Sequence, residues 1–301
     1  MKRHPVISGL ILSVLIVVAT VVAIRLAGRD EGTSLFSGRV GVVLVRGTII
    51  DSLPIVQDLQ KFRRDDSIKA VVLRVNSGGG GVAPSQEIYR EVVKLRRVKP
   101  VVASLGGVAA SGGYYVASPA TKVVCNPGTV TGSIGVIMSI PELKGLFDKL
   151  GIRLQVIQAG ALKATGVPDR PLSPAERAWL QDAIDDTHDQ FIRDVARARH
   201  LPVAKVRKLA NGGIFTGRQA LKLGLVDRLG SFTDAVQLAA RLGGIEGRPR
   251  LVLPDDQSRS WWRRLLREEG RSLVRDLMAE LAPPGLLAIY RPSLPQGGGE
   301  R

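Results

Sequence analysis

The stretch from Val98 to Met138 reads VKPVVASLGGVAASGGYYVASPATKVVCNPGTVTGSIGVIM. Its apolar run predicts a strand at Val101–Leu105, and a short helix is predicted at Ser111–Ser118. Ser111 thus starts a helix among small residues, with Gly112 directly after it. The positive end of the helix dipole and the N–H of Gly112 would favour negative charge here. This stretch therefore predicts a nucleophilic serine.

A lysine in the segment GALKATG (Gly160–Gly166) is the candidate base. The chain has only three histidines, so a serine nucleophile at Ser111 needs another base. Lys163 has small and apolar neighbours, and a lysine accepts a proton where its surroundings keep it neutral. Composition alone favours a surface lysine in a loop. Ser133 follows Ser111 in the chain and is placed to hold the lysine amine, although by itself it is an ordinary turn serine.

The glycine run Asn76–Gly81 follows a predicted apolar strand at Ala70–Val75. Glycines let a backbone approach a substrate closely and present its N–H groups, so this run is a candidate second donor for an oxyanion. A phosphate-binding turn is the alternative, but neither GxxxxGK[ST] nor a full GxGxxG pattern is completed downstream.

Strand and helix patterns alternate along the chain and predict an α/β fold over residues 39–254. Further strands are predicted at Val40–Val45, Lys122–Cys125, Ile134–Met138 and Arg153–Ile157, and helices at Ile55–Phe62, from Pro84, from the Ser173–Glu176 capping box, at Thr216–Leu223 and at Phe232–Leu242.

The N-terminus predicts a membrane anchor. Pro5 to Ile24 is an uncharged run of 20 residues, long enough to cross a hydrocarbon core of about 30 Å. We assign residues 1–24 to a transmembrane helix and 25–38 to a linker. Lys2 precedes the run, so the positive-inside rule places the N-terminus in the cytoplasm and the following domain outside it. A cleaved signal peptide is the alternative, although its apolar region would be unusually long.

The net charge of +16 calls for an anionic partner or surface. Nucleic-acid motifs are missing from the sequence, so a membrane face is favoured. Residues 255–301 form a tail in which SWWRRLLREEGRSLVRDLMAEL suits an amphipathic helix before a proline-rich end. The single cysteine, Cys125, excludes an intrachain disulfide and a cysteine metal cluster, and its apolar context favours a buried, inert thiol. We expect no metal and no cofactor.

These segments together resemble the signal peptide peptidase A family, membrane-anchored serine peptidases with a ClpP/crotonase fold of repeated β-β-α units. The matching motifs are RVNSGGG (74–80), ASGGYY (110–115), TGSIGV (131–136), GALK (160–163) and FTGRQA followed by LGLVD (215–227). Gly78 stands where the family has proline and Gly81 where it has serine.

The resemblance implies roles for five residues: Ser111 as nucleophile, Lys163 as general base, Ser133 as the hydrogen-bond partner of the lysine, and Gly80 and Gly112 as oxyanion donors. It also implies a homo-oligomeric ring in which serine and lysine meet across subunit boundaries. The implied substrates are apolar peptides such as cleaved signal peptides.

Two other functions stay open at this stage. An acyl-CoA enzyme of the crotonase type would share the fold, but it needs a carboxylate near the site, and Glu142 is the nearest acidic candidate. A catalytically silent membrane scaffold would recruit partners through the basic tail. A silent protein is expected to lose Ser111 or Lys163, and both are present.

Overall fold

The computed structural model describes residues 38–254. The predicted anchor, the C-terminal tail from residue 255 and all of the linker except Gly38 lie outside the described residues. Among residues 38–254, no helix combines the length and the apolar character that a membrane crossing needs.

Eight strands within the described residues join into one sheet. They are β1 (Arg39–Ile49), β2 (Ile68–Gly80), β3 (Val101–Ala110), β4 (Lys122–Cys125), β5 (Val130–Gly132), β6 (Ile214–Thr216), β7 (Arg228–Leu229) and β8 (Arg250–Val252). The predicted strand at Ala70–Val75 is confirmed and continues through the glycine run, because this part of β2 pairs with Thr48 and Ile49 of β1.

The sheet runs in the order β6-β5-β3-β2-β1-β8, and all its pairs are parallel except β5 with β6. Strand β3 pairs with two different strands on the same side. Its first half, Val102–Leu105, pairs with β4, and its second half, Val108–Ala110, pairs with β5. The sheet therefore splits at the end of β3, next to Ser111.

Eight helices accompany the strands in the part of the chain described: α1 (Leu53–Arg64), α2 (Val82–Arg96), α3 (Gly112–Ala117), α4 (Lys144–Leu150), α5 (Pro174–Arg199), α6 (Val203–Leu209), α7 (Gly217–Leu223) and α8 (Phe232–Leu242). The predicted capping box at α5 is confirmed: the Ser173 hydroxyl accepts from the Glu176 N–H, and the Glu176 carboxylate accepts from the Ser173 N–H.

Alternating side chains of the central strands fill two cores, one on each face of the sheet. Val71, Leu73 and Val75 belong to the larger core, which also contains buried residues of α1, α2, α3 and α5. Ala70 and Val72 point to the other face and pack with α8. Burial on both faces explains why the central strand is apolar throughout rather than alternating.

Two predicted strands are wrong. Ile134–Met138 and Arg153–Ile157 have no strand structure, and no described strand pairs with either of them. Most of their apolar residues are exposed, to 86% at Ile137 and 100% at Ile157, whereas Ile134 is fully buried in the larger core. The apolar pattern is present, but among residues 38–254 neither segment meets a strand to pair with.

The α/β class is confirmed by the mixed sheet with helices on both faces. The finer assignment, a ClpP/crotonase superhelix of repeated β-β-α units, stays a prediction. The helices α4 and α6 and the short strands β5, β6, β7 and β8 were not predicted, since segments of two to seven residues carry little periodicity.

We expect Leu73→Ala to lower the free energy of unfolding by about 2–5 kcal/mol, because it leaves a cavity in a close-packed core. Leu73 is fully buried in β2. The matched control is Leu53→Ala at the start of α1, where the leucine is 57% exposed and the cost should be within about 0.5 kcal/mol. Denaturant unfolding of both variants checks the difference, and equal losses would contradict this core assignment.

The Glu176 carboxylate makes the free energy of unfolding depend on pH. Arg170 holds the pKa of Glu176 at about 2, below its ordinary value of 4.5, with the Ser173 backbone N–H adding to the effect. A lowered pKa stabilises the fold above pH 4.5, and this contribution is lost as the pH falls toward about 2. The stability difference between wild type and Glu176→Gln should therefore be largest near neutral pH and shrink at pH 3. Unfolding measured at both pH values tests this expectation.

Candidate active site

Ser111 lies on the turn that joins β3 to α3, in a backbone conformation unusual for a residue with a side chain (φ 52°, ψ −124°). Its N–H donates to the Gly132 carbonyl at 2.8 Å, and its own carbonyl accepts from the Tyr115 N–H at 2.8 Å. A strained backbone of this kind costs about 1–3 kcal/mol and persists only where neighbouring structure fixes it. These two bonds fix Ser111, and its side chain is half-buried at the wall of a cavity.

The glycine run at the end of β2 passes directly against this turn. Gly79 has φ +113°, and a Cβ there would lie 2.8 Å from the Gly112 nitrogen and 3.0 Å from the Ser111 Cβ. A Cβ on Gly112 would lie 3.3 Å from the Gly80 nitrogen. The backbone of Gly80 is therefore a close neighbour of Gly112. The Gly79 N–H, by contrast, donates to the Ser77 hydroxyl at 3.1 Å.

Ser133 lies at the end of β5 and also has a left-handed backbone conformation (φ 49°). Its N–H donates to the Gly213 carbonyl at 2.9 Å, and the Gly212 N–H donates to the Ile134 carbonyl at 3.1 Å. These bonds hold the segment after β5 against the loop before β6. Strands β3 and β5 are neighbours in the sheet, so Ser111 and Ser133 follow the ends of adjacent strands.

One open cavity of about 920 Å³ brings four of the five predicted site residues together: Ser111, Gly112, Gly80 and Ser133 all line it. Its volume is in the range of cavities that hold ligands. The opposite wall comes from α5 and contributes Gln181, Ile184, Asp185, Thr187, His188 and Phe191. The remaining lining includes the apolar side chains Ile50, Val82, Val136 and Ile137.

Tyr115 connects the cavity to α5. Its ring lies 4.6 Å from that of Phe191 and 5.1 Å from that of Tyr89, in tilted contacts, and its hydroxyl donates to the Asp194 carboxylate. Burial, together with Asp194, raises the pKa of Tyr115, so the phenol stays protonated. Because Tyr115 is in the helix that Ser111 starts, this contact joins the serine turn to α5.

Lys163, the fifth predicted site residue, is not among the residues lining this cavity. It lies in a series of turns between α4 and α5, and its side chain is exposed. Its backbone N–H donates to the Gly160 carbonyl at 3.1 Å. The described chain therefore brings the serine and the oxyanion candidates together without the lysine.

The alternative chemistries find little support in the cavity lining. Glu142 is exposed and does not line the cavity. Within residues 38–254, Asp185 is the one carboxylate that does, and it accepts from the Gln181 amide at 2.8 Å. No group of three or more His, Cys, Asp or Glu residues within residues 38–254 is arranged to hold a metal ion. Cys125 is buried as predicted, and burial raises the pKa of its thiol to about 11.

Sequence reasoning missed the α5 wall. By their sequence pattern, Ile184 and Phe191 belong to an apolar stripe of the predicted helix, and His188 beside it is expected to be a packed or surface histidine. Phe191 and Val195 are indeed buried, but Ile184, His188 and Phe191 all border the cavity. The spacing of these three residues puts them on one face of a helix, which was the available signal.

Comparison with known proteins supplies the family. The family model described as Peptidase family S49 matches residues 93–246, about half of the chain. A candidate protease of Synechocystis sp., slr0021, is 48% identical over 59% of this chain and 64% of its own length. Protease 4 of Haemophilus influenzae is 36% identical over 68% of this chain and 35% of its own. A candidate signal peptide peptidase SppA of Enterococcus faecium is 38% identical over 59% of this chain and 52% of its own length.

The matched segment thus spans less than two thirds of the length of these relatives. The match nevertheless includes the turn at Ser111, the Ser133 segment and Lys163. The resemblance to the signal peptide peptidase A family is confirmed, and the chain belongs to peptidase family S49.

Proposed function

We propose that this protein is a serine endopeptidase in which Ser111 is the nucleophile and Lys163 the general base. The observation that carries the proposal is the convergence of Ser111, Gly112, Gly80 and Ser133 on one cavity. Membership of a peptidase family supports the reaction class.

The proposed reaction proceeds through an acyl-enzyme. The Ser111 hydroxyl attacks the carbonyl carbon of the scissile peptide bond while its proton passes to the Lys163 amine. Negative charge develops on the carbonyl oxygen, where the backbone N–H groups of Gly80 and Gly112 stabilise it. Lys163 then gives its proton to the leaving amine as the C–N bond breaks. A water, deprotonated by the same lysine, hydrolyses the ester and frees Ser111.

We propose that Lys163 reaches the serine of a neighbouring copy. A lysine amine becomes a base only where burial or a nearby positive charge disfavours its ammonium form, and Lys163 is exposed in the single chain. The segment before it also exposes a run of apolar side chains, from Ile137 to Ile157. A second copy packed on this segment would bury both the apolar residues and the lysine, which supports a homo-oligomeric ring.

The substrates we propose are apolar peptides such as cleaved signal peptides. The apolar residues Ile50, Val82, Val136 and Ile137 in the cavity lining suit an extended apolar segment. An N-terminal membrane anchor over residues 1–24, with the N-terminus cytoplasmic and the domain extracytoplasmic, would place the cavity beside such substrates at the cell membrane. The basic tail is proposed to add contact with the membrane surface.

An acyl-CoA enzyme of the crotonase type is the less supported candidate, because it needs a carboxylate at the site. Glu142 does not line the cavity, and Asp185, which does, is hydrogen-bonded to Gln181. A silent scaffold is disfavoured by the strained, hydrogen-bonded turn at Ser111, since strain of this kind is usually retained for function.

We expect Ser111→Ala and Lys163→Ala to abolish peptide hydrolysis while leaving the fold intact, because each removes one half of the proposed dyad. An equimolar mixture of the two inactive proteins, unfolded and refolded together, should regain part of the activity if serine and lysine meet between copies. A fluorogenic apolar peptide reports the activity, and circular dichroism checks the fold.

Two outcomes would count against this mechanism. Activity that survives in Lys163→Ala would show that Lys163 is not the general base. A mixture that assembles but stays inactive would show that the serine and the lysine of a dyad do not come from different copies, and a dyad within one chain would then be the remaining explanation. The matched control is Lys222→Ala on α7, an exposed lysine outside the segment proposed to pack on the second copy.

We expect Gly79→Ala to lower kcat by about 10²–10³-fold, the usual cost of removing one oxyanion donor. Its Cβ would push against the Gly112 nitrogen at 2.8 Å and would sit at φ +113°, which disturbs both candidate donors. Gly78→Ala is the matched control, because a Cβ there meets nothing within 4 Å. Steady-state kinetics of the two variants checks the contrast, and equal kcat values would argue against an oxyanion hole at this turn.

A further inference from the structure

The segment that carries Lys163 has little backbone structure of its own. Around the lysine its backbone bonds are short-range turns, such as Lys163 N–H to Gly160 carbonyl at 3.1 Å and Thr165 N–H to Leu162 carbonyl at 3.2 Å. Farther along the segment, the Pro168 carbonyl accepts from the Leu143 N–H at 2.6 Å. A catalytic lysine must nevertheless be held to within about an ångström, since misplacement of that size costs roughly 10²-fold in rate. Side chains must therefore supply what the backbone does not.

Two side chains hold the residue next to the lysine. The Ala164 N–H donates to the Gln158 amide oxygen at 3.1 Å, and the Ala164 carbonyl accepts from the Arg170 guanidinium at 3.4 Å. Gln158 also donates to the Ala161 carbonyl at 3.4 Å, so it closes the turn around Lys163. Gln158 belongs to the turn itself, whereas Arg170 lies beyond it and connects it to the rest of the protein.

Arg170 is fixed in turn by the first turn of α5. Its two terminal nitrogens donate to the two oxygens of Glu176, at 2.8 and 2.7 Å, in a bidentate pair. Glu176 is only 4% exposed, and its carboxylate also accepts from the Ser173 N–H. A planar fork matched to a carboxylate fixes direction as well as distance, which a lysine at the same position does not reproduce.

The same helix forms the opposite wall of the Ser111 cavity through Gln181, Ile184 and His188. A path of direct contacts therefore leads from Ala164 through Arg170 and Glu176 to α5. We propose that Arg170 is a positioning residue for Lys163, with Glu176 as its anchor on α5. This inference rests on the proposed role of Lys163 as general base.

The test compares Arg170→Ala and Arg170→Lys with the matched control Arg177→Ala in the full-length protein. Arg177 is an exposed arginine in the first turn of α5, and its variant removes the same charge without touching the anchor. We measure kcat and KM for the fluorogenic apolar peptide across pH, together with thermal unfolding and oligomeric state. Lys163→Ala and Ser111→Ala are measured in parallel.

We expect Arg170→Ala to lower kcat by about 10²-fold with KM nearly unchanged and to displace the pH profile of kcat, because a misplaced lysine sits in altered surroundings. Arg170→Lys should recover part of this loss, and Arg177→Ala should behave as wild type. An Arg170→Ala protein that is folded and assembled, with the kcat and pH profile of wild type, overturns the proposal.

If Arg170→Ala does not fold, Arg170→Lys decides: a lowered kcat with a displaced pH profile supports the positioning role, and wild-type values overturn it. Failure of the proposed function is seen separately, because activity retained in Lys163→Ala removes the lysine whatever the Arg170 variants do.

Discussion

The glycine run at the end of β2 passes the turn at Ser111 so closely that a side chain does not fit between the two backbones. A Cβ on Gly79 would meet the Gly112 nitrogen at 2.8 Å, and one on Gly80 would meet the Ile49 carbonyl oxygen at 2.3 Å. The run is thus held between β1 on one side and the serine turn on the other. This close approach brings Gly80 at the end of β2 and Gly112 after β3 to the lining of one cavity.

The split in the sheet at the end of β3 also positions the turn at Ser111. The first half of β3 pairs with β4 and its last residues pair with β5 instead. The Ser111 N–H continues this second pairing by donating to the Gly132 carbonyl at the end of β5. A parallel sheet places binding residues at the carboxyl ends of its strands, and here the ends of β2, β3 and β5 all border the cavity. The long helix α5 adds further residues to the lining of this cavity.

The sequence predicted well what depends on local pattern and less well what depends on contact between distant segments. The turn at Ser111 follows from small residues between a strand and a helix, and the capping box at Ser173 follows from four adjacent residues. The strands expected at Ile134–Met138 and Arg153–Ile157 were wrong because an apolar run does not specify a pairing strand, and none of the described strands pairs with either segment. The α5 wall was missed because one helical stripe serves the core at Val195 and the cavity at Ile184.

The 26 residues of α5 extend about 39 Å as one rigid element. Its first turn holds, through Glu176, the loop of the proposed base, while its middle walls the cavity of the same chain. If that base serves the next copy, each such helix touches two different catalytic centres. A peptide bound in one cavity would then contact the helix that anchors the base of the adjacent centre.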